Sequence, residues 1–401
     1  MKIGFVSEHY PPTDGGVATS AQRVARALVR QGVEVHVICF DHSRDVASAD
    51  YCIEELDQGV QVSRIGPFFL KQPALSADQV PEKVKATLRR RAFEAMSQIL
   101  RRQGVDVILA FYLLNAGFLA QYVARHLRVP FVAGIRGNDL GRNMFHVERF
   151  GVISWIVQGA DTVVCVNDHL RERLLLAHPN VANKTLVIPN SVRGGSTHSR
   201  AQSRAALARA TGWDESALRI VFIGTLREKK GVAPLVEALG ALGPDSPVRF
   251  LVVGPDLGSM ELRLCGTAWQ TLKDRGHAFV SGMVPRDDVA SWAAGCDVVV
   301  MPSLDDGMAN GLLEGMAMGL CPVASHFFSD VITDNVNGLL VPAGDSDSLA
   351  AALQRLNRNR EAVHRMGQAA AEKMLQRTPD DEARDYAGVF ARVQAQGKDH
   401  P

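Results

Sequence analysis

The feature that most limits what this chain can fold into is a repeating order of short apolar run, loop and amphipathic helical segment. Residues 2–7 form an apolar run, residues 19–31 carry apolar side chains at helical spacing, and residues 33–40 form the next apolar run. Segments long enough for a strand thus alternate with a segment long enough for a helix, and Gly32 ends the predicted helix. The opening of the chain therefore predicts a strand–helix–strand unit, which builds a parallel sheet.

The same order continues along the chain and predicts an α/β protein with two doubly wound parallel sheets. A small, polar stretch at 194–204 separates the two series and is typical of a linker. We expect an N-terminal domain over 1–194, a C-terminal domain over 195–378 and a last helical stretch within 379–401, with a cleft between the domains. The further strand-like runs are 105–110, 129–134, 162–166 and 185–188 before the linker, and 218–223, 248–254, 278–281, 298–302 and 321–324 after it.

Charge and composition exclude several classes of protein. The chain has 44 Lys and Arg against 43 Asp and Glu, so its net charge gives no reason to expect a nucleic-acid partner. Its six cysteines show no C-x-x-C pair and several lie in apolar runs, which favours reduced core residues in the cytoplasm. No signal-like segment precedes the first strand, and no apolar run is long enough to span a membrane.

The informative loops follow strands, because ligands of open α/β sheets bind at the carboxyl ends of strands. The loop at 8–17 places Gly15 and Gly16 just before the first helix. Glycines allow a backbone to approach a ligand closely. The G-x-G-x-x-G pattern of dinucleotide-binding enzymes is missing, and taken alone the loop fits a plain turn as well as a phosphate contact.

A second loop, at 222–231, gathers Arg227, Lys229 and Lys230 after a predicted strand. These cations are suited to a diphosphate. An ordinary solvated basic loop explains the same residues, so this loop leaves both interpretations open.

The segment 301–323 is the most specific of the three. A predicted helix over 312–318 follows a glycine-containing loop, and the amides of 308–311 at its start favour a phosphate. Asp306 and Glu314 flank these amides. Carboxylates accept hydrogen bonds from hydroxyl groups and repel phosphate, so they are suited to sugar and ribose hydroxyls.

Together these motifs resemble glycosyltransferase family 4, a retaining family of the GT-B fold, over nearly the whole chain. The acidic segment matches the family pattern at Pro302, Ser303, Gly307, Leu313, Glu314, Met316, Ala317, Gly319, Pro322 and Val323. The other motifs match at Gly15 and Gly16, at Arg136, Gly137 and Asp139, at Pro189, Asn190, Ser191 and Val192, and at Gly224, Lys230 and Gly231.

The resemblance implies a role for each matched residue. Glu314 is expected to bind the ribose, Asp306 the transferred sugar, Lys230 the leaving diphosphate, and Gly16 beside Gly15 the same diphosphate from the first domain. The backbone amides of Met308, Ala309, Asn310 and Gly311 are expected to hold donor phosphate and sugar. The resemblance also implies that the C-terminal helix within 379–401 crosses back to the N-terminal domain.

The implied reaction is metal-independent transfer with retention. The donor is a nucleotide-diphosphate sugar, UDP- or GDP-linked, and there is no other cofactor. The acceptor is a hydroxyl of a carbohydrate, a lipid-linked or a small molecule, as in polysaccharide, glycolipid or glycoside synthesis.

Three positions depart from the family pattern. Asp306 replaces a glutamate, and Thr225 replaces a diphosphate-binding arginine. Arg227, two residues further on, would supply the missing cation if the loop turns inward. Arg136 replaces an active-site histidine, so its expected role is electrostatic, with Asp139 positioning it. Two alternatives therefore stay open: a nucleotide-sugar hydrolase or epimerase of the same fold, and a non-catalytic nucleotide-sugar-binding subunit.

One region suggests a further partner. Residues 83–102 combine basic and apolar residues at near-helical spacing, and the loop at 67–75 is apolar. Two interpretations of the segment 67–102 therefore stay open. One is a peripheral contact with the inner face of the membrane, and the other is a core-packed helix with a solvated basic face.

Overall fold

The computed structural model describes residues 1–13, 15–41, 52–66, 81–137, 139–141, 143–193 and 199–398. The chain divides into two compact units. Unit 1 comprises Met1–Asn190 and Pro379–Pro401, and unit 2 comprises Ser191–Thr378. The C-terminal segment therefore belongs to the same unit as the N-terminus.

Unit 1 contains an eight-stranded sheet in the order β3-β4-β2-β1-β5-β6-β7-β8. Every neighbouring pair is parallel except β3 and β4, which form an antiparallel hairpin at one edge. Its strands are β1 (Lys2–Ser7), β2 (Glu34–Phe40), β3 (Cys52–Asp57), β4 (Val60–Ile65), β5 (Val107–Phe111), β6 (Phe131–Ile135), β7 (Thr162–Cys165) and β8 (Thr185–Val187).

The helices of unit 1 connect these strands and pack on the sheet. The central strands are buried along nearly their whole length, as expected of parallel strands covered on both faces. The helices are α1 (Gly16–Arg30), α2 (Glu82–Gln103), α3 (Phe118–Leu127), α4 (Val147–Gly159), α5 (Asp168–Ala177) and, at the end of the chain, α13 (Pro379–Lys398).

Unit 2 contains a six-stranded, wholly parallel sheet in the order β11-β10-β9-β12-β13-β14. Its strands are β9 (Leu218–Ile223), β10 (Val248–Val253), β11 (Ala278–Val280), β12 (Val298–Met301), β13 (Cys321–Ser325) and β14 (Leu339–Val341). Its helices are α6 (Arg200–Thr211), α7 (Val232–Ala241), α8 (Ser259–Asp274), α9 (Val289–Ala293), α10 (Asn310–Ala317), α11 (Ser346–Arg358) and α12 (Arg360–Leu375).

The predicted fold class, two Rossmann-like parallel sheets, is confirmed. Eleven predicted strands correspond to observed ones with small differences at their ends, whereas β3, β4 and β14 were missed. The edge strand β3 has no apolar face, since Glu54, Glu55 and Leu56 are all exposed. The strand β14 has only three residues, too few to show a period.

The terminal helix α13 packs against α1. Tyr386 and Phe390 of α13 are fully buried in the core of unit 1. The Glu382 carboxylate accepts hydrogen bonds from Nε and Nη2 of Arg23 at 3.0 and 3.2 Å. The Glu382 side chain is 0% exposed and that of Arg23 is 12% exposed, so this ion pair lies inside the helix–helix contact.

The segment considered for membrane contact is described only in part. Residues 67–80 lie outside the described residues. In α2 the apolar side chains of Leu88, Ala92 and Met96 are buried, while Lys83, Arg89 and Arg90 are exposed. A peripheral membrane contact stays a prediction. A search of the described part of the chain found no helix whose length and apolar character would let it span a membrane.

We expect Glu382→Ala to loosen α13. The substitution leaves the guanidinium of Arg23 buried without its carboxylate, and breaking a buried pair in this way costs about 3 kcal/mol. Hydrogen exchange measured by mass spectrometry should therefore show faster exchange in peptides covering 379–398. Asp380→Ala is the matched control, because its partner Arg30 and Asp380 are 42% and 52% exposed and such surface pairs contribute about 0–1 kcal/mol. Equal exchange in the two variants would contradict the assignment.

Candidate active site

The candidate site of unit 2 lies at the carboxyl ends of β9 and β12. These strands are parallel neighbours, so the loops that follow them emerge side by side. Two glycines allow the close approach. A Cβ on Gly231, which has φ +72°, would lie 2.0 Å from the Pro302 carbonyl oxygen, and one on Gly311 would lie 2.4 Å from that of Ile223. Any larger residue at these positions would push the two loops apart.

Lys230 and Asp306 meet where these loops meet. Lys230 Nζ donates a hydrogen bond to Asp306 Oδ2, which also accepts one from Ser303 Oγ at 3.2 Å. The Gly307 amide donates to Oδ1 at 2.9 Å. The Lys230 and Asp306 side chains are only 17% and 10% exposed. The site therefore contains a largely buried ion pair at the end of the sheet.

The pKa of Asp306 is lowered by this environment. Burial by itself opposes ionisation of the carboxyl, but the charges of Lys230 and Lys229 and the hydrogen bonds from Lys230 and Gly307 outweigh it. Burial and the neighbouring ammonium of Lys230 lower the pKa of Lys229 in turn. Two adjacent lysines are thus held close to one carboxylate.

Glu314 lies on α10 and forms an ion pair with Arg286. Arg286 Nη2 donates to Glu314 Oε1, and the Glu314 side chain is 17% exposed against 56% for Arg286. Arg286 begins a single 3₁₀ turn, Arg286–Asp288, in the loop that follows β11. Sequence analysis did not single out Arg286. The available signal was its place in a loop that follows a strand, the criterion that identified the other site loops.

The start of α10 carries the other residues expected to hold the donor. The helix begins at Asn310 instead of near Leu312, and Leu313 N donates to the carbonyl of Ala309 at 3.2 Å. Met308, Ala309 and Asn310 are buried. On the loop after β9, Thr225 and Arg227 are exposed. The binding roles of these residues stay predictions.

In unit 1, the paired glycines lie at the carboxyl end of β1. Gly15 has φ +133° and directly precedes α1, whose first residue is Gly16. Both glycines are exposed, and the Thr19 amide donates to the Gly15 carbonyl at 3.0 Å. As the sequence predicted, the loop leads directly into the first helix. Its contact with a diphosphate stays a prediction.

Asp139 organises the loop that follows β6. Its fully buried carboxylate accepts hydrogen bonds from the amides of Leu113 and Arg136, both at 2.7 Å. Burial raises the pKa of Asp139 to about 6, although these hydrogen bonds oppose the shift. Asp139 therefore fixes the main chain at Arg136.

The guanidinium of Arg136 packs inside unit 1. Its Cζ lies 4.2 Å from the centre of the Phe111 ring, and Nη2 donates to Asn190 Oδ1. Nη1 is buried and has no hydrogen-bond partner among the described residues. Burial lowers the pKa of Arg136. These contacts describe a cation packed on an aromatic ring, and an electrostatic role toward substrate stays a prediction.

Two family models match the chain. Residues 14–193 match the model described as "Glycosyltransferase Family 4". Residues 217–359 match the model described as "Glycosyl transferases group 1". The first model covers most of the described part of unit 1 that precedes α13, and the second covers the whole sheet of unit 2.

Curated relatives extend over almost the same length. The chain is 25% identical over 374 residues to the putative teichuronic acid biosynthesis glycosyltransferase TuaC of Bacillus subtilis, covering 88% of this chain and 89% of TuaC. It is 26% identical over 382 residues to a D-inositol 3-phosphate glycosyltransferase of Xylanimonas cellulosilytica, covering 88% of both chains.

Solved structures share the fold. Sucrose-phosphate synthase from Thermosynechococcus elongatus matches with a TM-score of 0.77 at 19% identity, covering 98% of this chain and 99% of the synthase. Anabaena Alr3699/HepE in complex with UDP and glucose matches with a TM-score of 0.75 at 19% identity, over 98% and 99% of the two chains. With the two family models, the full-length relatives and the two Rossmann-like sheets in agreement, the chain belongs to glycosyltransferase family 4 and is a glycosyltransferase.

Proposed function

We propose that this glycosyltransferase moves a sugar from a UDP- or GDP-linked donor to an acceptor hydroxyl, with retention and without a metal ion. The observation that carries the proposal is the pairing of Lys230 with Asp306, with Lys229 beside them and Glu314 on the adjoining helix. Cations for a diphosphate and carboxylates for hydroxyl groups thus occur together at the end of one sheet.

The two lysines support the diphosphate assignment. A diphosphate brings negative charge into a partly buried site, where an ammonium group interacts more strongly than it would in water. Lys230 is proposed to contact the leaving diphosphate, and the start of α10 supplies N–H groups that favour the same anion. In this proposal the lysines neutralise charge that a divalent cation neutralises in other transferases.

The two carboxylates support the assignment of the sugar and the ribose. Asp306 is held ionised by its neighbours and retains acceptor capacity for a sugar hydroxyl. Glu314 is proposed to accept hydrogen bonds from the ribose diol, which then replace its contact with the exposed Arg286. The Arg286 side chain is 56% exposed, so its ion pair with Glu314 opposes this replacement only weakly.

The similar proteins support the proposed class of donor more strongly than any one class of acceptor. One solved structure of similar fold is a complex with UDP-glucose, whereas the curated relatives include proteins named for teichuronic acid biosynthesis and for D-inositol 3-phosphate. We therefore propose a nucleotide-diphosphate sugar as donor and a hydroxyl of a carbohydrate, a lipid-linked or a small molecule as acceptor. In a retaining transfer of this kind, the departing phosphate oxygen takes the proton of that hydroxyl.

A nucleotide panel tests the donor site. We expect UDP or GDP to raise the melting temperature, since a ligand of the folded state stabilises it by mass action. Glu314→Gln should weaken nucleotide binding about tenfold or more, because a charge-assisted hydrogen bond contributes about 1.5–3 kcal/mol. Glu361→Gln, in the first turn of α12, is the matched control and should bind as the wild type does. If UDP, GDP and ADP all leave the melting temperature unchanged, the donor assignment is wrong.

The ion pair predicts a second set of results. Lys230→Met leaves the Asp306 carboxylate buried with less compensation, so urea denaturation should show a loss of about 1–3 kcal/mol at pH 7. The double variant Lys230→Met with Asp306→Asn should recover most of this stability and still transfer no sugar. Full activity in the double variant would contradict the proposed roles.

The sign of the pH dependence follows from the lowered pKa of Asp306. In the wild type, the stability that this carboxyl contributes is fully present above the pKa that Asp306 has in the unfolded chain. It is lost as the pH falls through the lower pKa that Asp306 has in the folded protein. In Lys230→Met that contribution is removed. The difference in unfolding free energy between the two proteins should therefore stay constant from pH 7 to about 5 and narrow only below about pH 4, as the pH falls towards the lowered pKa of Asp306.

Retention is tested by the anomer of the product. With UDP-α-glucose or GDP-α-mannose as donor, proton NMR of the first product formed should show an α-glycoside, because front-face substitution keeps the configuration of the donor. A β-glycoside as the initial product would show inversion and would exclude the proposed mechanism.

A further inference from the structure

A second group of polar residues lies at the carboxyl end of the unit 1 sheet. The strands β1 and β5 are parallel neighbours, with Ser7 opposite Phe111 at their last positions. The next residue of each chain segment, Glu8 and Tyr112, therefore emerges at the same edge. Ligands of open α/β sheets bind at this edge.

The backbone at Tyr112 is held in an unusual conformation. Its φ of 76° and ψ of 120° lie outside the regions that residues with side chains normally occupy. The Leu113 amide is held by the buried carboxylate of Asp139, and the Gly117 amide donates to the Tyr112 carbonyl at 3.0 Å, which closes a π-helical turn over Leu113–Gly117. Strained residues and single π-helical turns cluster at functional sites.

Glu8 contacts this π-helical turn through a hydrogen bond. Asn115 Nδ2, within the turn, donates a hydrogen bond to Glu8 Oε1 at 3.2 Å. No Lys or Arg forms an ion pair with Glu8 in the described part of the chain. Burial raises the pKa of Glu8, and the hydrogen bond from Asn115 opposes the shift. A partly buried carboxyl that no cation compensates destabilises the folded state, so it points to a role other than stability.

The hydroxyl of Tyr112 complements this carboxyl. It accepts a hydrogen bond from Asn143 Nδ2 at 3.2 Å, while Asn143 Oδ1 accepts one from Arg149 Nη1 at 2.6 Å. Burial and the charge of Asp139 raise the pKa of Tyr112 to about 12. The phenol therefore keeps its proton at neutral pH and can donate it to a ligand, whereas Glu8 can only accept once it is ionised.

We propose that Glu8 and Tyr112 bind a hydroxyl of the acceptor other than the one that receives the sugar, Glu8 accepting its hydrogen bond and Tyr112 donating one to its oxygen, and that the acceptor group at this position is an uncharged sugar or polyol. The inference rests on the proposed function, since it assigns the acceptor of that transfer. Among the residues that the structure describes, no Lys or Arg pairs with Glu8, and this observation decides the chemical class. A phosphate or carboxylate placed against Glu8 would be repelled, whereas a hydroxyl satisfies the carboxylate and the phenol together.

The test compares uncharged and phosphorylated probes. Binding of myo-inositol and methyl α-glucoside, and of D-inositol 3-phosphate and glucose 6-phosphate, is measured by saturation-transfer NMR on the full chain. We expect the uncharged probes to bind the wild type more tightly than the phosphorylated ones. Glu8→Gln keeps the shape of the side chain and an oxygen for Asn115, and it should weaken binding of the uncharged probes about tenfold.

Two further variants complete the experiment. Tyr112→Phe should weaken the same binding by a smaller factor, since it removes a neutral hydrogen bond. Glu148→Gln, an exposed residue in the first turn of α4, is the matched control and should bind as the wild type does. Tighter binding of the phosphorylated probes, unchanged binding in Glu8→Gln, or no binding of any uncharged probe would overturn the inference.

Nucleotide binding separates this inference from the proposed function. UDP binding, measured on the same samples, should be unaffected by Glu8→Gln, because the side chains proposed for the nucleotide, those of Lys230 and Glu314, lie in unit 2. If neither UDP nor GDP binds the wild type, the proposed donor fails. If UDP binds but the loss of the Glu8 carboxylate raises neither the probe dissociation constants nor the KM of a transferred acceptor, the acceptor assignment alone fails.

Discussion

The largely buried contact between Lys230 and Asp306 depends on a close approach of two loops, and the chemistry proposed for unit 2 depends on that contact. The loops come from neighbouring parallel strands and touch where Gly231 passes the Pro302 carbonyl. A buried lysine and a buried aspartate are each unfavourable alone, and together they are compensated. The sheet thereby holds a cation and a carboxylate within one small volume, as the proposed binding of a sugar diphosphate requires.

The sequence allowed the fold to be predicted where residues follow a period. Eleven strands have apolar runs of recognisable length, whereas β3 is charged and exposed and β14 is too short for any pattern. The location of the candidate site was predictable, because its loops follow strands and the carboxyl ends of parallel strands lie at the same edge of the sheet. Partners across the site were not predictable, because the contact of Glu314 with Arg286 depends on how two loops fold in space.

Arg136 illustrates the same limit. Its place after β6 is readable from the sequence, but the direction of a long side chain is set by packing. The guanidinium lies on the Phe111 ring and reaches Asn190, and the expected partner Asp139 holds main-chain amides instead. A motif position therefore indicates where a residue is anchored, while its contacts depend on neighbours far away in the sequence.

The return of α13 to unit 1 has a consequence for biosynthesis. Tyr386, Phe390 and Val393 belong to the same hydrophobic core as β1 and α1, although they are made after the whole of unit 2. Unit 2 is contiguous and ends at Thr378, so all of its residues have emerged from the ribosome before that core can close. On the nascent chain, the unit whose synthesis begins first can therefore complete its core only after the whole of the other unit has been made.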